Sequence, residues 1–282
     1  MQTTDPSQKN TVAMNELSLG FSSCPNDTFI FHALAQGLVA SPVFRLGRVV
    51  VEDVEELNRR ALAQQLDISK LSFHAWGHVR EQYSLLRAGA ALGRGCGPLL
   101  VAADASAGLR LAEARIAIPG EYTTAALLLR LFEPRCRQLI PMRFDRIMPA
   151  ILRGEVEAGA IIHEGRFTYA ALGLCLVADL GQWWEGESGL PLPLGCIVAR
   201  RSLGPQLIAA AEEAIRASLA YARQHPEASR DYVRGHAQEL DDQVIDGHLK
   251  LYVNDFSEDL GPEGQAAVEE LLRRGRLAGV FR

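Results

Sequence analysis

The sequence predicts an α/β protein of two lobes around a ligand cleft, and three observations predict it. Short apolar runs alternate with amphipathic segments up to about residue 104. A second block of the same alternation occupies 105–199, and 200–282 is mainly helical. The simplest arrangement inserts the second block into the first. Lobe 1 is then 15–104 with 200–282, lobe 2 is 105–199, and the crossings lie near 103–106 and 197–201. Residues 1–14 read as a disordered tail.

Composition narrows the function. The 282 residues are 48% hydrophobic and 22% charged, as in an ordinary globular protein with a large core. A formal net charge of −5 argues against general affinity for nucleic acid or an acidic membrane surface. The five cysteines are scattered and odd in number, without a Cys-x-x-Cys pair, which fits free thiols in a reducing compartment. The N-terminal stretch lacks a basic segment followed by an apolar one, and no apolar run has membrane-spanning length. A cytoplasmic protein acting on a small molecule is expected, its oligomeric state left open.

In chain order, 17–21 reads as a strand. The turn Ser22-Ser23-Cys24-Pro25-Asn26-Asp27 follows, with Asn26 or Asp27 capping a helix over 28–38. This turn is either a plain cap or a holder for a ligand anion, with Ser22 and Asn26 as the polar groups. A strand over 43–51 and an amphipathic helix over 53–63 come next. Residues 66–72 alternate apolar and polar, a half-buried strand that ends in Lys70, Leu71 and Ser72. His74 and His78 then have helical i, i+4 spacing, but Ala75 stands where a His-Glu-x-x-His protease has its glutamate, and no third ligand is evident. No metal site is assigned. Residues 88–98 are rich in glycine, yet they lead into a strand (99–102) instead of opening a helix. A bent or flexible connection near the cleft fits better than a nucleotide loop.

The second block opens with a strand over 115–118, a turn, and an apolar helix over 125–132. Thr123 or Thr124 caps that helix, and this start is either an ordinary threonine cap or a holder for a ligand carboxylate or phosphate. A strand over 138–144 and a helix over 146–152 lead to Gly154, a helix-stop signal. The apolar run 158–162 is a buried strand that delivers His163 to its carboxyl end, where open α/β sheets bind ligands. His163 is either a satisfied strand-end histidine or a base titrating near neutrality, with Glu164 as an orienting neighbour. Strands over 175–179 and 194–199 close the block. Trp183-Trp184 walls a pocket or packs a surface. Helices follow over 205–224, 226–236, 242–253 and 263–273, with His236 and His248 on polar faces.

Six blocks occur in order: Ser22-Ser23-Cys24-Pro25-Asn26-Asp27-Thr28-Phe29, Lys70-Leu71-Ser72, Gly93-Arg94-Gly95, Thr123-Thr124, Ile161-Ile162-His163-Glu164 and Leu190-Pro191-Leu192-Pro193-Leu194-Gly195. Together they resemble the 1,4-dihydroxy-6-naphthoate synthase family of the futalosine route to menaquinone, from about residue 17 to near the C-terminus. Ser23 departs from the proline usual there, a change that bears on turn rigidity. The resemblance implies a two-lobed periplasmic-binding-protein-like fold of type II with a central ligand cleft. It also implies His163 as the proton acceptor, with substrate contacts at Lys70-Leu71-Ser72 and Thr123-Thr124-Ala125.

The implied reaction is a carbon–carbon lyase step on cyclic dehypoxanthine futalosine. Proton removal beside a carbonyl and loss of the sugar fragment leave an aromatic product. No cofactor or metal is called for, only a base, donors for an enolate and an anchor for a carboxylate. Two alternatives stand beside it: a carboxylate-binding protein of the same fold, and a chorismate dehydratase of the same pathway.

Overall fold

A computed structural model describes residues 14–104, 109–237 and 241–281. The expected tail over 1–13 and part of the expected crossing at 103–106 lie outside these residues.

The first sheet has the order β2-β1-β3-β11-β4, with β5 also paired to β11. Its strands are β1 (Asn15–Phe21), β2 (Phe44–Val51), β3 (Ile68–Ser72), β4 (Tyr83–Leu85), β5 (Ala91–Gly93) and β11 (Leu192–Arg200). β1 runs parallel to β2 and β3, whereas β11 returns antiparallel to β3. Helices α1 (Pro25–Ala35), α2 (Val54–Leu62) and α3 (Phe73–Val79) connect the early strands. The second sheet has the order β10-β6-β9-β7-β8. Its strands are β6 (Leu99–Ala102), β7 (Arg115–Ile118), β8 (Gln138–Pro141), β9 (Ala158–Ile161) and β10 (Cys175–Asp179), with helices α4 (Thr124–Phe132), α5 (Phe144–Leu152), α6 (Gly165–Thr168) and α7 (Leu180–Ser188). The remaining helices are α8 (Pro205–Gln224), α9 (Pro226–Arg234), α10 (Asp242–Tyr252), α11 (Asp255–Glu258) and α12 (Gly261–Leu277).

Sheet membership moves both expected crossings. β6 pairs with β9 and β10, so the chain enters the second sheet before Leu99. β11 pairs with β3, β4 and β5, so it has left that sheet before Leu192. Both strands are antiparallel to their neighbours, and an apolar run carries no mark of which sheet it joins.

Three local expectations also change. Helix α1 begins at Pro25 with Cys24 as its N-cap and no side-chain cap; Asn26 and Asp27 lie inside the first turn. Proline at the first helical position fixes that start. β3 is buried along its whole length, not on one face, because helices α2 and α3 pack against it and Lys70 and Ser72 are paired. Trp184 is fully buried and donates to the Pro191 carbonyl (3.1 Å), so the tryptophan pair packs the core.

The glycine-rich connection is tightly bent. A Cβ on Gly97 would lie 2.3 Å from Gly181 Cα and 2.5 Å from its nitrogen, at the start of α7. Backbone atoms cannot rotate away as a side chain can. Gly97→Ala is therefore expected to cost about 1–3 kcal/mol. Gly186→Ala, in open space within α7, should be neutral or stabilising. Thermal denaturation of the two variants checks the contrast; equal melting temperatures would contradict it.

Candidate active site

The centre of the site is an ion pair inside the first sheet. Lys70 Nζ lies 2.6 Å from Asp27 Oδ1, and both side chains are almost wholly buried. A lysine in the middle of a buried strand needs such a partner, since an unpaired ammonium there would cost several kcal/mol. Space for its stem comes from Gly195 on β11, where a Cβ would meet Lys70 Cε at 3.0 Å. The other carboxylate oxygen of Asp27 accepts from Ser22 Oγ at 2.7 Å. Asn26 Nδ2 donates to Asp27 Oδ1 at 2.8 Å, and Asn26 Oδ1 lies 2.9 Å from His248 Nε2.

Ser72, two residues on along β3, is held by α2. Its backbone N–H donates to Asn58 Oδ1 (2.9 Å), and Asn58 Nδ2 donates to Ser72 Oγ and to Glu55 Oε2, both at 3.2 Å. The Glu55 carboxylate in turn accepts the backbone N–H groups of Glu121 and Tyr122, at 2.9 and 3.1 Å. Helix α2 is thereby tied to the loop that opens α4. Thr123 caps α4 by accepting from the Ala126 N–H, and its carbonyl lies 3.0 Å from His74 Nδ1. Burial pushes His74 down to about 3, so this imidazole is neutral and Nδ1 carries the hydrogen. Thr124 Oγ1 donates to the Leu194 carbonyl on β11 (2.7 Å).

His163 arrives from the second sheet, two residues past β9, with φ of 55°. This left-handed conformation is uncommon outside glycine, though histidine and asparagine adopt it more often than most residues. It turns the chain sharply at the strand end. The ring is half-buried and lines the cavity. Its ring nitrogens lie 3.2 and 3.4 Å from Cys24 Sγ, and Phe144 meets it edge to face at 5.0 Å. Burial, and then the Glu164 and Asp27 carboxylates, raise the Cys24 thiol well above its ordinary range. Cys24 is therefore a neutral thiol beside the imidazole and not a thiolate. Burial lowers His163 to about 4 despite the opposing pull of Asp27, with Lys70 acting in the same direction as burial. At neutral pH the imidazole is uncharged and has a lone pair to accept a proton.

One cavity of about 80 Å³ gathers these groups between the two sheets. Ser22, Asn26, Lys70, Leu71, Ser72, Thr123, Thr124, Ala125 and His163 all line it. His248, Tyr252, Arg166 and Cys96 line it too, and sequence reasoning missed them. His248 was expected on a polar helix face but is fully buried, because α10 lies against α1 and β5. Arg166 joins the cavity wall to the connection, donating to the carbonyls of Gly95 (2.7 Å) and Gly97 (3.0 Å) and to Asp179 (3.1 Å). His74 and His78 face Tyr122 and Phe281 away from this cavity. No trio of metal-ligating side chains suited to an ion occurs among the described residues.

The sequence profile of the menaquinone biosynthesis family matches residues 17–276. The chain belongs to the menaquinone biosynthesis family. Within it, a Thermus thermophilus protein named 1,4-dihydroxy-6-naphthoate synthase is 53% identical over 269 residues, covering 95% of this chain and 96% of the relative. Protein AF1704 from Archaeoglobus fulgidus has a crystal structure that superposes with a TM-score of 0.88 at 35% identity, covering 94% of this chain and 98% of that one. The periplasmic aliphatic sulphonate binding protein SsuA from Escherichia coli superposes at 0.63 with 13% identity, covering 95% and 88%. The fold is thus periplasmic-binding-protein-like, and this member of the menaquinone biosynthesis family is an enzyme of that pathway.

Removing one member of the central pair leaves a buried charge without its partner. Lys70→Met is expected to destabilise the protein by about 3–5 kcal/mol, and adding Asp27→Asn should recover at least half of that. Urea denaturation measures both. A single variant no less stable than the double would contradict the pairing argument.

Proposed function

We propose that the chain is a lyase that converts cyclic dehypoxanthine futalosine to 1,4-dihydroxy-6-naphthoate, with His163 as the base. The observation that carries this reading is the neutral His163 imidazole on the wall of a cavity framed by both sheets. The 53% identical relative, named for the same product, supports the choice of reaction.

The proton beside a substrate carbonyl passes to His163, and its electron pair moves into the carbonyl as an enolate. The enolate pair then returns to form a ring double bond as the bond to the sugar-derived fragment breaks. The fragment leaves with that bond's electron pair and takes the proton from His163, and aromatisation supplies the driving force without a redox cofactor. Asp27, close enough to favour a charged His163, stabilises the imidazolium that forms. The start of α4 anchors the substrate carboxylate: the Ala126 N–H is taken by the Thr123 cap, and the Thr124 and Ala125 N–H groups remain at the helix end. Lys70, Leu71 and Ser72 form the facing wall, with Ser22 and Asn26 beside them.

A cavity of about 80 Å³ holds only a few waters, so a substrate of this size enters after the sheets part. Reclosure brings Cys24 and His163 together and excludes water. The five unpaired cysteines accord with a cytoplasmic setting, and no helix among the described residues is long and apolar enough to cross a membrane.

Turnover of cyclic dehypoxanthine futalosine and of chorismate by wild type and by His163→Asn tests the reading. Asparagine tolerates the left-handed backbone that alanine would strain. Naphthoate formation by wild type is expected, with kcat about 10²–10⁴-fold lower in the variant. Dehydration of chorismate would favour the dehydratase alternative, and binding without product the solute-binding one. Because the active imidazole is neutral and its pKa lies below the ordinary 6.5, wild-type kcat/KM should hold from pH 8 to about 5.5. Half-loss at pH 6.5 or above would contradict that assignment.

A further inference from the structure

A second histidine of the cavity is held in one tautomer by its neighbours. Asp27 is an acceptor and already pairs with Lys70, so the Asn26 group 2.8 Å from it is the amide nitrogen. The Asn26 oxygen therefore faces His248, and His248 Nε2, 2.9 Å away, is the donor. Burial, reinforced by the nearby His163 and Lys70, keeps this imidazole neutral. Its Nδ1 is then a bare lone pair. It is buried and has no hydrogen-bond partner among the described residues. A buried acceptor left unsatisfied is costly, and native structures keep few of them.

Apart from His163, several acceptors around the cavity are already engaged. Asp27 uses one oxygen for Lys70 and Asn26 and the other for Ser22. The Leu194 carbonyl receives Thr124. The α4 start presents N–H groups, and Arg166 Nε is a buried donor with no partner. That wall suits carboxylate or carbonyl oxygens, whereas His248 suits a donor.

We propose that His248 Nδ1 accepts a hydrogen bond from a hydroxyl of the substrate's sugar-derived fragment. The substrate then lies with its carboxylate at the α4 start and its sugar end against α1 and α10. This subsite rests on the function proposed above and fixes which wall of the cleft takes which end.

Isothermal titration of cyclic dehypoxanthine futalosine and of 1,4-dihydroxy-6-naphthoate, which lacks the sugar, tests it in a His163→Asn background that suppresses turnover. Adding His248→Gln keeps a donor toward Asn26 and removes the Nδ1 acceptor. It should raise Kd for the futalosine about tenfold and leave Kd for the naphthoate within about twofold. His248→Asn, which returns an acceptor near the Nδ1 position, should restore most of the loss. The unchanged naphthoate affinity also shows that the variant is folded. Equal shifts for both ligands, no shift for the futalosine, or no recovery with asparagine would overturn the subsite. Failure of the His163→Asn chain to bind either ligand would instead defeat the functional reading, and the subsite with it.

Discussion

The buried pair between Lys70 and Asp27 is the interaction on which the site depends. It joins the middle of β3 to the first turn of α1 across 2.6 Å. Its worth lies less in net stability than in arrangement, since desolvation offsets much of the attraction inside a protein. With Asp27 fixed, Ser22 and Asn26 can take only one hydrogen-bonding sense, and Asn26 passes that sense to His248. The same two charges bear on His163 with opposite sign: the carboxylate favours its charged form and the ammonium disfavours it. Moving one member would reset the geometry and the electrostatics of the cavity together.

The second constraint is that the groups around the cavity come from different sheets. His163 follows β9, while Cys24, Asp27 and Lys70 belong to β3 and α1 of the first sheet. Their meeting requires the sheets to approach, and the links across that approach include Cys24 with His163, Glu55 with the loop before α4, His74 with Thr123 and Thr124 with Leu194. In the function proposed above, that approach is what shields the base from water.

Much of this was legible in the sequence, for identifiable reasons. Helix α8 begins and ends where expected because Pro205 starts it and His225 before Pro226 stops it. The expected site residues fall on one cavity because strand ends and helix starts of an open α/β sheet converge there. What was missed depends on tertiary packing. His248 carries no local signal, and only the docking of α10 on α1 buries it. β6 and β11 look like any apolar strand, so their sheet could not be read from their own residues. One signal was present in the sequence: a lysine in the middle of a strand pattern asks for a carboxylate, and Asp27 in the turn after β1 is such a group.

The most direct measurement is a crystal structure of His163→Asn with cyclic dehypoxanthine futalosine bound. The ligand is expected in the cleft between the sheets, its acidic carbon about 3–3.5 Å from where the His163 imidazole nitrogen lies in the wild-type chain, with the Lys70–Asp27 pair intact. A ligand seated elsewhere, or one that presents only its sugar to that position, would contradict it.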